Sequence, residues 1–170
     1  FGPHVPDREE RLRQFLSQYY GEVKLIDDCV GRILGRLEEL GILDDTVVVF
    51  TTDHGEYAGE HGLFAKNKLY ETAHRLPMLV RWPDAIPAGT VVNDVMSTVD
   101  FQPTILRLLG LEPCGREQGC DGSKLLRGEA VEWENVAHIH HNSHERAGIF
   151  APEFELAYVR EGDPIPFDRV

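Results

Sequence analysis

The run Val47-Val48-Val49-Phe50-Thr51-Thr52-Asp53-His54-Gly55 constrains this chain more than any other stretch. An apolar, β-branched segment of this kind reads as a strand buried on both faces, as in a parallel sheet. It delivers a carboxylate and an imidazole together at its carboxyl end, the edge where open α/β sheets bind ligands. Asp53 offers a hard oxygen and His54 a borderline nitrogen, a workable pair for a divalent cation. Gly55 permits a sharp turn beside them. The same residues serve a purely structural role if Asp53 caps the next segment and His54 packs beneath it. Two adjacent residues do not separate those readings.

Ahead of the strand, apolar residues recur at Leu12, Leu16, Tyr19, Val23, Ile26, Val30, Ile33, Leu37 and Leu40, stepping by four and three. The spacing predicts one long helix, capped at Asp7 and stopped by Gly41, whose apolar stripe packs on the sheet. Cys29 falls on its apolar side and reads as a small core residue. The stripe also satisfies a heptad pattern, so a non-enzymatic helical interaction module is one alternative. Gly21, Gly31 and Gly35 oppose a coiled coil, each costing ~1 kcal/mol against Ala in a helix interior.

Beyond the strand, residues 53–75 form a long, Gly-rich polar loop with isolated aromatics. A second strand is expected over 77–82, and irregular or short-strand structure over 91–99. A helix capped by Asp100 runs to Gly110, and 112–128 reads as a Gly-rich linker. Short strands are expected over 137–141, 147–150 and 154–160, followed by a turn at Gly162-Asp163-Pro164.

Residues 46–83 carry a dense set of motifs in order: Asp53-His54-Gly55, Gly59-Glu60-His61-Gly62, Lys66, Tyr70-Glu71 and Arg75-Leu76-Pro77. This segment closely resembles the sulfatase family of the alkaline phosphatase superfamily. Thr98-Val99-Asp100-Phe101-Gln102-Pro103-Thr104 resembles a later helix of that family, and residues 12–126 match it in order and spacing. The resemblance implies an α/β fold: a partial alkaline-phosphatase-like sheet with flanking helices plus a small C-terminal antiparallel β element. It implies a sulfatase-type catalytic region over 1–128 and a small β subdomain over 129–170. Sulfatases are several times longer, so the resemblance also implies that the N-terminal half of the same protein lies outside this chain.

The expected function is sulfate-ester hydrolysis. In the family an Asp and the following Asn or His complete a divalent-cation site, which makes Asp53 and His54 the expected metal ligands. Ca²⁺ is the expected ion, with Mg²⁺ or Mn²⁺ as competitors; a nitrogen ligand tilts the site toward Mn²⁺ or Zn²⁺. Lys66 matches the lysine that contacts sulfate oxygens and is the expected catalytic and substrate-binding cation. The bland reading of Lys66 is a solvated loop lysine, as is expected of Lys68. His61 is a substrate-binding or ligand-orienting candidate, or else a loop histidine bonded to backbone. Glu71 and Arg75 are expected to pair and pin the loop to the sheet. The formylglycine nucleophile is expected upstream, since none of the three cysteines lies in a Cys-x-Pro-Ser-Arg setting. The chain alone is therefore expected to be inactive. His after Asp53 keeps a phosphonate monoester or phosphodiester hydrolase of the same superfamily open as an alternative.

Composition narrows the partners. With 29 acidic and 17 basic residues the net charge is −12, which argues against nucleic-acid binding through a basic face. A small anionic sulfate ester needs a metal and a few cations to dominate the local field. No apolar run is long enough to span a membrane, and no N-terminal stretch resembles a signal peptide. Cys114 and Cys120 flank a flexible loop that a disulfide would close if geometry allowed. His138, His140, His141 and His144 lack the four convergent ligands of a dedicated zinc site.

Overall fold

A computed structural model describes residues 8–140 and 146–159. Asp7, His141, His144 and the turn at 162–164 lie outside the described residues. The chain divides into two compact units, 1–82 and 83–170.

In the first unit, helix α1 spans Arg8–Glu39. It stops where the reading placed the stop. Gly41 adopts φ +70°, its N–H donates to the Glu38 carbonyl, and the Ile42 N–H donates to the Leu37 carbonyl. That pair of bonds is a Schellman closure, which satisfies two orphan carbonyls and needs a left-handed residue between them. Strand β1 (Val48–Thr51) pairs with β2 (Met78–Arg81), Val48 opposite Arg81 and Thr51 opposite Met78.

The pairing is antiparallel, which corrects the expectation of a buried parallel strand. The connection from β1 to β2, residues 52–77, carries a 3₁₀ turn (Glu60–Gly62) and the four-residue helix α2 (Glu71–His74). β1 is not buried on both faces: Phe50 is 42% exposed, and Leu79 on β2 is exposed as well.

The α1 stripe departs from expectation in the same way. Val23, Ile26, Ile33 and Leu40 are exposed, as is Cys29, so Cys29 is not a core residue. The reason is length. A 32-residue helix is about 48 Å long, whereas four-residue strands span about 13 Å. Two such strands cannot cover the stripe. Its N-terminal end finds aromatic cover instead, where Phe15 meets Phe64 edge-on at 4.9 Å.

The second unit begins its ordered helices at a 3₁₀ turn, Thr98–Asp100, that runs into α3 (Phe101–Leu108). Asp100 does not sit ahead of the turn as a simple cap. It is buried inside it, and its carboxylate accepts the N–H of Ser97 at 2.7 Å and of Cys120 at 2.7 Å. The stretch 112–128 is more than a linker, because it contains α4 (Ser123–Leu126) with Ser123 and Leu126 buried. The Gly122 N–H donates to the buried hydroxyl of Thr104, which ties α4 to α3. Residues 91–97 are irregular.

Strands β3 (Ala137–His140), β4 (Arg146–Ala151) and β5 (Phe154–Val159) form an antiparallel meander in that order. This is the small antiparallel element expected near the C-terminus. His138 and His140 alternate with half-buried neighbours on β3 and face solvent. Cys114 and Cys120 are exposed free thiols. Glu117 is held down to about 2 by hydrogen bonds from its own backbone N–H and from the thiol and N–H of Cys114.

Candidate active site

Asp53 and His54 follow the end of β1 after one residue, Thr52. His54 Nδ1 lies 2.8 Å from the Gly55 carbonyl oxygen. A carbonyl only accepts, so in the neutral ring the proton sits on Nδ1 and Nε2 keeps its lone pair. That Nε2 lies 3.5 Å from Asp53 Oδ2. Two donors sharing one cation at about 2.1–2.4 Å and at right angles stand about 3–3.4 Å apart. The pair thus has the tautomer and the spacing of adjacent ligands. Asp53 is 84% exposed and His54 36%, so the site opens to solvent on the carboxylate side. An open cleft of about 360 Å³ abuts the His54 side, lined by Phe15, Tyr19, Glu22, Thr52, His54 and Glu56. Among the described residues no third His, Cys, Asp or Glu completes a metal-binding group.

Gly55 locks this corner. Its N–H donates to the Ala73 carbonyl at 2.9 Å, which joins the strand end to α2. The backbones approach too closely there for any side chain.

The loop after Gly55 is ordered by two residues that sequence reading passed over. Glu56 Oε1 accepts the N–H of Ala65 at 2.6 Å and of Ala58 at 3.2 Å. Tyr57 is 1% exposed, and its hydroxyl both donates to the Lys68 carbonyl and accepts the Lys68 N–H. His74 Nε2 reaches the same Lys68 carbonyl at 3.0 Å, and burial lowers the His74 pKa although that bond raises it. The one advance signal for Tyr57 is a large aromatic stranded in a polar, Gly-rich loop. The clasp itself joins positions 11 apart in sequence and leaves no periodic trace.

His61 has φ +52°, is exposed, and stacks on Tyr70 with centroids 4.0 Å apart and planes 10° from parallel. Glu60 accepts the Thr72 hydroxyl. Lys66 is exposed on the same loop, and Lys68 is half-buried. Glu71 and Arg75 pair at 2.8 Å, but one helical turn apart and in solvent. Such a pair stiffens α2 by about 0.3–0.5 kcal/mol and does not pin the loop to the sheet.

A strand leading into an Asp-His pair, beside an ordered loop bearing a lysine, is the arrangement that the motifs of residues 46–83 led us to expect of the sulfatase family. The sulfatase family profile matches residues 2–111, and the chain belongs to that family. It is 34% identical over 158 residues to an N-acetylglucosamine-6-O-sulfatase of Bacteroides thetaiotaomicron, covering 87% of this chain and 28% of that protein. A solved structure of a protein in complex with its substrate, D-glucosamine-2-N,6-O-disulfate, matches with TM-score 0.75 and 34% identity. That match covers 79% of this chain and 29% of the other. The phosphonate monoester hydrolase of Agrobacterium radiobacter matches with TM-score 0.73 and 27% identity, over 83% of this chain and 32% of that one. The chain therefore spans roughly three tenths of the length of these relatives. The fold is that of the alkaline-phosphatase-like sulfatases, and the match runs through α1, which assigns that helix to the sulfatase frame.

Proposed function

We propose that the full-length protein is a metal-dependent sulfatase and that this chain supplies two of its metal ligands and one substrate-binding cation. The observation that carries the reading is the Asp53–His54 pair, with Nε2 bare and 3.5 Å from the carboxylate. Asp53 and His54 hold a divalent cation, Ca²⁺ by our assignment over Mg²⁺ and Mn²⁺, and the remaining ligands come from outside this chain. The cation, when bound, offsets negative charge on the transferred group. Lys66 adds a second positive charge against the sulfate oxygens, which an acidic chain of net charge −12 otherwise repels. His61, held flat against Tyr70, borders the substrate. The formylglycine nucleophile lies upstream, and this chain alone has no activity. The substrate is a small anionic sulfate ester, the chemistry of the ligand bound by the solved relative.

The phosphonate monoester reading is the second candidate, supported by the structural likeness to the Agrobacterium enzyme and by His rather than Asn after Asp53. Steady-state turnover of the full-length protein on an aryl sulfate and on the matching phenylphosphonate ester separates the two. We expect the sulfate to be preferred, and a chelator to abolish turnover. Lys66→Ala lowers turnover by about 10²–10³-fold, the range for one lost preorganised donor, whereas Lys68→Ala has little effect. Bound metal survives both substitutions. Phosphonate preference overturns the sulfatase assignment; equal losses at the two lysines overturn the role given to Lys66.

A further inference from the structure

The loop that carries Lys66 is held at both sides of that residue by the two residues that follow Asp53-His54-Gly55. On the near side, Ala65 has its N–H in the Glu56 carboxylate and its carbonyl on the Tyr57 N–H at 3.0 Å. On the far side, Lys68 has both its N–H and its carbonyl on the Tyr57 hydroxyl. Lys66 and Asn67 are thus the only residues between two anchored ones. The backbone is also driven into unfavourable ground, since Ala58, His61 and Ala65 all take left-handed φ angles of +49°, +52° and +65°. Non-glycine residues hold such angles only where surrounding contacts over-determine the chain. A solvated loop lysine needs none of this.

We propose that Glu56 and Tyr57 are positioning residues that set Lys66 at a defined place relative to the Asp53–His54 pair. The inference rests on the reading of Lys66 as the substrate-binding cation. The connection is mechanical and short. His54 is the proposed metal ligand, Gly55 is bonded to Ala73, and Glu56 and Tyr57 clamp the two sides of Lys66. Tyr57 suits the task because a buried ring cannot move without opening a cavity, and its hydroxyl is at once donor and acceptor. Phe fills the same space and drops both bonds to Lys68.

Two measurements on the full-length protein test this. The first is amide hydrogen exchange of Tyr57→Phe. Exchange within 58–68 should rise about tenfold or more while β1 and β2 keep their protection. Unchanged exchange in that segment overturns the clamp. The second is a kinetic cycle with Lys66→Ala. Tyr57→Phe should lower kcat about tenfold with KM and bound metal held within about twofold, and should cause no further loss when Lys66 is already Ala. Undiminished loss in the Lys66→Ala background overturns positioning through Lys66. Should Lys66→Ala itself leave kcat unchanged, the role of Lys66 in the proposed function fails, positioning of a catalytic cation fails with it, and the exchange result still decides the clamp. If Tyr57→Phe does not fold, Glu56→Ala takes its place in both measurements. Glu56→Gln, which keeps an acceptor oxygen for Ala65, should recover most of the lost kcat; no recovery, with the fold intact, counts against the clamp.

Discussion

At Gly55 a Cβ would stand 2.0 Å from the Thr72 carbonyl oxygen and 3.1 Å from the Ala73 Cα. Both obstacles are backbone, so neither gives way easily. Gly55→Ala should cost about 1–3 kcal/mol by overpacking and should lower metal affinity, because the Gly55 carbonyl orients His54. Denaturant midpoints and metal titration check both effects, and an unchanged midpoint refutes the close approach. His74 gives stability a pH dependence just below neutrality. Its pKa is lowered from 6.5 by burial, against the raising effect of its bond to Lys68, so the folded protein binds fewer protons than the unfolded chain near and below that value. Its contribution to stability is therefore full above 6.5 and is lost as pH falls. His74→Gln should flatten the stability-versus-pH curve below pH 6.5, and a curve that keeps its slope there assigns the dependence elsewhere. Asp53 and His54 were legible because both ligands are neighbours in the chain. Glu56, Tyr57 and His74 were not, because each acts on a residue six to eleven positions away through backbone groups that have no identity in sequence.

The boundaries of α1, β1, β2 and β3–β5 follow local rules: a stripe at helical spacing, a glycine after the last turn, and short apolar runs between turn residues. Their environments do not. Ile26 sits in the middle of the α1 stripe yet is 53% exposed. Ile26→Asp in the 170-residue chain should then change stability by no more than about 0.5 kcal/mol, as at other open surface sites. Chemical denaturation followed by far-ultraviolet circular dichroism measures this, and a loss of several kcal/mol would show that the stripe is covered. The meander β3–β4–β5 was legible as three short strands, whereas its register, with Ile149 opposite both His138 and Leu156, was not. Register depends on pairs across strands rather than on the pattern along one.

Over the whole chain, the division at 82/83 falls in Pro83-Asp84-Ala85-Ile86-Pro87, a largely exposed, proline-bounded segment. Limited proteolysis should nick first within 83–89, whereas a first cut near 128 would favour a functional division at 128/129 instead. Among the described residues Tyr57, Leu69, Ala73, Pro103, Leu108 and Leu126 are the buried apolar side chains, a thin core for this length. Composition gave no warning of that, since 42% hydrophobic content is ordinary and says nothing about which faces find a partner. Sequence by itself determined the family, the strand that leads into Asp53-His54, the long helix and the C-terminal antiparallel strands. Each of these is written in adjacent residues or in a period of two or 3.6. Tertiary structure alone decided that β1 and β2 run antiparallel, that the helix stripe and Cys29 face outward, and that Tyr57 closes on Lys68. These are contacts between distant positions, and they depend on which surfaces a finite set of elements is long enough to cover.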